Sequence, residues 1–146
     1  MSSAVMRSPR SRALHPLREM AAAPDLNGID AQAAAKGLLQ MMEELSHVLR
    51  AYFYLEEVED HVAIADAAPQ LHPRICALQQ EHRSLHARLE RFLASSKPGL
   101  QGGGNRGTCQ RVLSWFERFE QELCRHESRE RQLLYDAYWK DVGVGD

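Results

Sequence analysis

The chain has 146 residues, the length of one domain and enough to bury a single core, but short for two. Apolar residues at 44 % and charged residues at 26 % are ordinary globular proportions, and 18 basic against 20 acidic side chains leave a net charge of −2, which argues against a general nucleic-acid binder. No run approaches the ~20 apolar residues of a membrane span and no export signal opens the chain, so a soluble, cytoplasmic protein with no membrane or nucleic-acid partner is expected. Cys76, Cys109 and Cys124 are an odd set without CxxC spacing, which reads as reduced thiols rather than a disulfide framework.

The opening differs from the rest. Residues 1–18 carry Arg7, Arg10, Arg12 and Arg18 with no acid, leaving −6 on the remainder, and are broken by Pro9 and Pro16. Residues 1–29 therefore read as a basic segment, poorly ordered or holding a short first helix around Arg12 to Ala23, with a targeting peptide as the alternative. Downstream, proline removes a helix donor and clashes with the preceding turn, so Pro24, Pro69, Pro73 and Pro98 partition the chain into stretches rich in Leu, Ala, Gln, Glu and Arg. The first predicted helix runs from a cap at Asp30 to about Ala67, and the second has Pro73 in its first turn and ends near Ala94. A glycine-rich loop, Ser95 to Gly107, then leads to a helix from Thr108 to about Asp141. No stretch alternates like a strand. The expected fold of residues 30–146 is an all-α, up-and-down antiparallel four-helix bundle, closed by the short first helix.

Turning roughly 100° per residue, each long helix has an apolar stripe. On 30–67 it contains Leu38, Met41, Leu45, Val48, Leu49, Tyr52 and Ala63, with Glu56 and Glu59 inside it. On 74–94 it contains Ile75, Leu78, Leu85, Leu89 and Leu93, with His82 and His86 at its centre. On the last helix it contains Val112, Trp115, Phe119, Leu123, Leu133 and Ala137, with His126 and Glu130 inside and Glu122 at the margin. A buried carboxylate is costly unless paired, hydrogen-bonded or bound to a metal. Imidazole and carboxylate both ligate transition metals, and i, i+4 pairs reach one ion from successive turns. His82–His86, His126–Glu130 and Tyr52–Glu56 share that spacing, on three separate helices. A metal site is the reading favoured over hydrogen-bonded core pairs.

Other polar residues serve as a check. His47 and His61 fall opposite Tyr52 and are expected to face solvent, and His72 sits in the Pro69–Pro73 connection. Glu44-x-x-His47 has the spacing of ferritin-type carboxylate sites but occurs once and points outward. His126-Glu127-Ser128-Arg129-Glu130 is not the metalloprotease HExxH, and the glycines at 102–104 read as a linker rather than a phosphate loop.

Order and spacing resemble the hemerythrin-like, HHE cation-binding family. Leu49-Arg50-Ala51-Tyr52-Phe53-Tyr54-Leu55-Glu56-Glu57 looks like its second-helix pattern L-x-x-H-F-x-x-E-E, and Leu78-Gln79-Gln80-Glu81-His82-Arg83-Ser84-Leu85-His86 like its third. The run from His126 to Tyr138, closing with Asp141 to Asp146, is similar to the fourth. The resemblance implies a four-helix bundle with two non-heme irons. By matching position His82, His86 and His126 would hold one iron, with Glu56 and Glu130 bridging. At the second iron the pattern departs: Tyr52 stands where the second-helix histidine belongs, and His15, beside Pro16, is the one candidate for the first-helix histidine. A neutral tyrosine is a poor ligand whereas a phenolate binds iron(III) well, so the second ion would be lost, weakly held or stabilised in its ferric form.

Three functions follow. The first is a di-iron site that binds dioxygen, peroxide or a related small ligand at an open position, with Tyr52 replacing one imidazole. The second is a single metal on His82, His86, His126, Glu56 and Glu130 in a sensor or storage bundle. The third is a metal-free bundle serving structure or protein interaction. No general acid or base stands apart from the ligands, so a metal- or oxygen-binding protein is favoured over an enzyme.

Overall fold

The computed structural model describes residues 29–103 and 105–139, and these are almost wholly helical. The first rod is composite: α1 (Ile29–Leu55) runs without a break into a π-helical turn (Glu56–Asp60) and then into α2 (His61–Ala67). A single 3-10 turn, Pro69–Leu71, reverses the chain into α3 (His72–Gln101), with Pro73 in its first turn as expected. After a short connection α4 (Arg106–Tyr138) returns antiparallel to α3 and packs on both preceding rods. The architecture is thus three long rods, up, down and up, among the described residues. The short helix considered near Arg12 to Ala23, His15 within it, and the closing Asp141–Asp146 all lie outside them.

Two boundaries differ from the sequence expectation. The loop placed at Ser95 to Gly107 is mostly helix, because Pro98 sits in the last turns of α3, where its missing N–H frees only a carbonyl near the solvated end. The chain turns only after Gln101, and Gly103 takes φ +95°, a backbone conformation open to glycine at little cost. The α4 start also moves: Asn105 caps it, its side chain accepting from the Thr108 N–H at 2.9 Å.

Apolar side chains bury in two layers. The larger joins Leu38, Met42, Leu45, Leu49 and Phe53 of α1 to Leu85 and Leu89 of α3 and Val112, Phe116, Phe119 and Leu123 of α4. The smaller, at the other end, joins Ile64 and Ala68 to Ile75, Leu78, Leu133 and Ala137. Most of the predicted stripe is there, and burying each such side chain contributes on the order of 2 kcal/mol. Ala63 and Glu59, counted in the stripe, are instead exposed. The three cysteines are free thiols, Cys109 buried and Cys76 and Cys124 exposed. No helix among the described residues is long and apolar enough to cross a membrane.

Candidate metal centre

On every rod the apolar stripe is interrupted at the same level, between Phe53 and Ile64, Leu78 and Leu85, and Leu123 and Leu133. The polar residues filling the gap are Glu56, His82 and His126, all buried, with Glu130 half-buried. One ligand atom from each of these four lies within 4.8 Å of all the others. Bonds of about 2.0–2.2 Å to imidazole and carboxylate put opposite donors a little over 4 Å apart, so the set fits a single transition-metal ion with small side-chain adjustment.

The hydrogen bonds orient both rings alike. His82 Nε2 lies 2.8 Å from Glu130 Oε1 and 3.0 Å from Glu56 Oε2, while its Nδ1 lies 3.1 Å from Glu57 Oε1. His126 Nε2 lies 2.7 Å from the same Glu130 Oε1, while its Nδ1 lies 3.2 Å from Glu81 Oε1. Glu81 is itself held by Arg129, whose Nε donates to Oε1 at 2.9 Å and to Oε2 at 3.2 Å. Each ring therefore has its outer nitrogen on a carboxylate and its inner nitrogen on the centre. Phe53 stacks on His82, ring centroids 4.0 Å apart, and meets His126 edge-on, walling the cluster off toward the larger core.

Electrostatics follow from this packing. Burial opposes charge on His82, but its hydrogen bonds to Glu130, Glu56 and Glu57 outweigh that, and the imidazole is pushed from 6.5 up to about 9. Burial likewise opposes charge on Glu130, yet the bonds from His126 and His82 hold its carboxyl far below the usual carboxylate range. Glu81 is also lowered, because Arg129 and His126 overcome its partial burial. The raised His82 value favours a proton on its ring, between Glu130 and Glu56.

Of the residues singled out in the sequence, His82, His126, Glu56 and Glu130 are brought together. His86 is not. It lies about 40° around α3 from His82, off the line of Leu85 and Leu89, and its Nε2 faces Ser46 Oγ at 3.3 Å and Glu90 at 3.5 Å. Tyr52, one turn before Glu56, is half-buried and packs against the larger core. His15 lies outside the described residues. His47 is exposed, as expected, but His61 is a correction: it is buried, with its ring 5.6 Å from His82 and nearly parallel to it. The cause is the π turn, which adds a residue to one turn and so moves everything after Asp60 about 100° relative to an uninterrupted α-helix. Glu57 and Glu81 were also missed as orienting carboxylates. The available signals were the Glu56-Glu57 pair and the position of Glu81 immediately before His82.

No family model, no curated protein and no solved structure matches the chain.

Proposed function

We propose that the protein is a hemerythrin-like, non-heme iron protein whose centre is built on Glu56, His82, His126 and Glu130 and takes dioxygen, peroxide or a related small ligand. One observation carries the reading: both histidines have Nδ1 on a carboxylate and Nε2 on the shared glutamate Glu130. Ligating histidines are oriented in that way, because a bond at the outer nitrogen fixes the tautomer and leaves the inner lone pair for the ion. The mixed imidazole and carboxylate donors suit iron, and the choice of iron over manganese or zinc rests on the resemblance of the helix motifs. Four protein donors leave positions open on a six-coordinate ion, where bound iron supplies reversible small-ligand binding or redox chemistry. The protein's part is to hold the donors, bury them between two apolar layers and keep bulk water out. A di-iron version needs donors beyond these four.

A second reading is favoured by a different feature of the same site. His82, His126 and Glu130 already satisfy one another through charge-assisted hydrogen bonds, as a metal-free structural bundle would require. Metal content decides between them. After anaerobic loading with iron(II) and removal of free metal, the wild-type chain should retain at least one iron and His126→Ala essentially none. A wild-type chain that keeps none, with an unchanged melting temperature, would establish the metal-free bundle.

A further inference from the structure

Resting on the metal reading above, we propose that His61 is a third imidazole donor to the centre, delivered by the π turn. Within the π turn the His61 N–H bonds to the Glu56 carbonyl, five residues back rather than four. His61 is thereby stacked above Glu56 on the inner face, where a regular helix would put Asp60. Such single-turn insertions carry a cost in hydrogen-bond geometry and concentrate at functional sites. Here the insertion sets one histidine inside while its neighbours Val62 and Ala63 remain exposed.

The side chain stands beside the cluster, next to the four groups whose ligand atoms lie within 4.8 Å of one another. His61 is 4 % exposed, and its ring centroid lies 5.6 Å from that of His82 with only 12° between their planes. Its Nδ1 lies 3.3 Å from the amide Nε2 of Gln79, on α3 one turn before His82. The oxygen and nitrogen of that amide exchange by a half-turn, so Nδ1–H can donate to the Gln79 carbonyl and leave the Nε2 lone pair for an ion. His82 is held at Nδ1 by Glu57 and His126 by Glu81; with its amide so turned, Gln79 is the third such partner. Burial lowers the His61 pKa, as does the charge of His82, against the opposing pull of Glu130, Glu57 and Asp60.

The test uses the full chain loaded with cobalt(II), whose paramagnetism moves the N–H protons of ligated imidazoles far outside the ordinary proton spectrum. Wild type should show three exchangeable shifted signals, and His61→Gln should show two and bind cobalt(II) about tenfold or more weakly. His61→Phe, which keeps a buried ring beside His82, should behave as His61→Gln does and covers the case in which the amide variant misfolds. Two shifted signals in wild type, or unchanged affinity in the variants, would overturn the role of His61 and leave the metal reading standing. No cobalt(II) uptake by wild type would overturn both.

Discussion

Supplying metal should cancel the pH dependence of stability that the metal-free protein shows above pH 6.5, and the size of the effect follows from His82. Its imidazole rises from 6.5 to about 9 because it donates to Glu130, Glu56 and Glu57 while buried. At about 1.4 kcal/mol per tenfold change in proton affinity, this is on the order of 3 kcal/mol of stabilisation in the metal-free protein. A group whose folded value is raised gives all its stabilisation below its unfolded value and loses it as pH climbs through the folded one. Metal-free protein should therefore weaken between pH 6.5 and about 9, by roughly 10 °C in melting temperature if each kcal/mol moves a domain of this size by about 4 °C. An ion needs the neutral ring, so proton and metal compete, and apparent affinity should rise about tenfold per pH unit over the same window. The gain in metal affinity then offsets the loss from His82, and the loaded protein should hold its stability where the metal-free protein loses it. Thermal melts of both forms at constant ionic strength, with a cobalt(II) titration at each pH, give the two slopes. Parallel slopes with pH-independent affinity would refute the assignment of His82 as the residue shared by proton and ion.

Other substitutions separate the parts of the site. His82→Ala should lower metal affinity at least about 100-fold, whereas His86→Ala, whose ring faces Ser46 and Glu90, should leave it within about twofold; metal retained after desalting checks both. Glu81→Gln removes the charged partner of His126 Nδ1 and should weaken binding by about 10–100-fold while the fold persists, which equilibrium titration measures. Leu38→Ala, at a fully buried position remote from the centre, should cost about 2–5 kcal/mol in denaturant unfolding without changing metal stoichiometry. Deleting the exposed Glu59 should convert the π turn to α geometry and keep Ile64 on the core, so circular dichroism and the melt should stay close to wild type. Deleting the exposed Glu44 inside α1 should instead rotate one side of the rod by about 100° and unfold the chain.

The last pair of deletions bears on why part of the centre was legible in the sequence and part was not. A single phase of 100° per residue places Leu38, Leu45, Leu49 and Glu56 correctly, because α1 is regular up to Leu55. The same phase works along α3 and α4, which is why His82, His126 and Glu130 could be read as inward-facing. Carried across Glu56–Asp60 it fails at once, exposing Glu59 and Ala63 and burying His61. Nothing in Glu56-Glu57-Val58-Glu59-Asp60 marks a π turn by composition, since the residues are compatible with either helix. What selects it is tertiary: Ile64 and Ala68 must meet Ile75, Leu78, Leu133 and Ala137, and with the inserted residue they fall into line below Glu56.

His86 failed for a subtler reason. An i, i+4 spacing brings two side chains to one side of a helix, but it leaves about 40° between them. Near the axis of a bundle that angle decides which of the two meets the opposite rods. Here Leu85 and Leu89 lie on the other side of His82 from His86, by about 60° and about 20°, and packing them fully into the larger core turns His86 toward Ser46 and Glu90. An HxxxH spacing therefore limits which imidazoles can share an ion, and the apolar residues between and beyond them determine whether they do. By the same logic the make-up of this cluster is fixed less by its histidine spacing than by the two apolar layers above and below it. They set the depth at which Glu56, His82, His126 and Glu130 meet, and through the π turn they bring His61 to that depth as well.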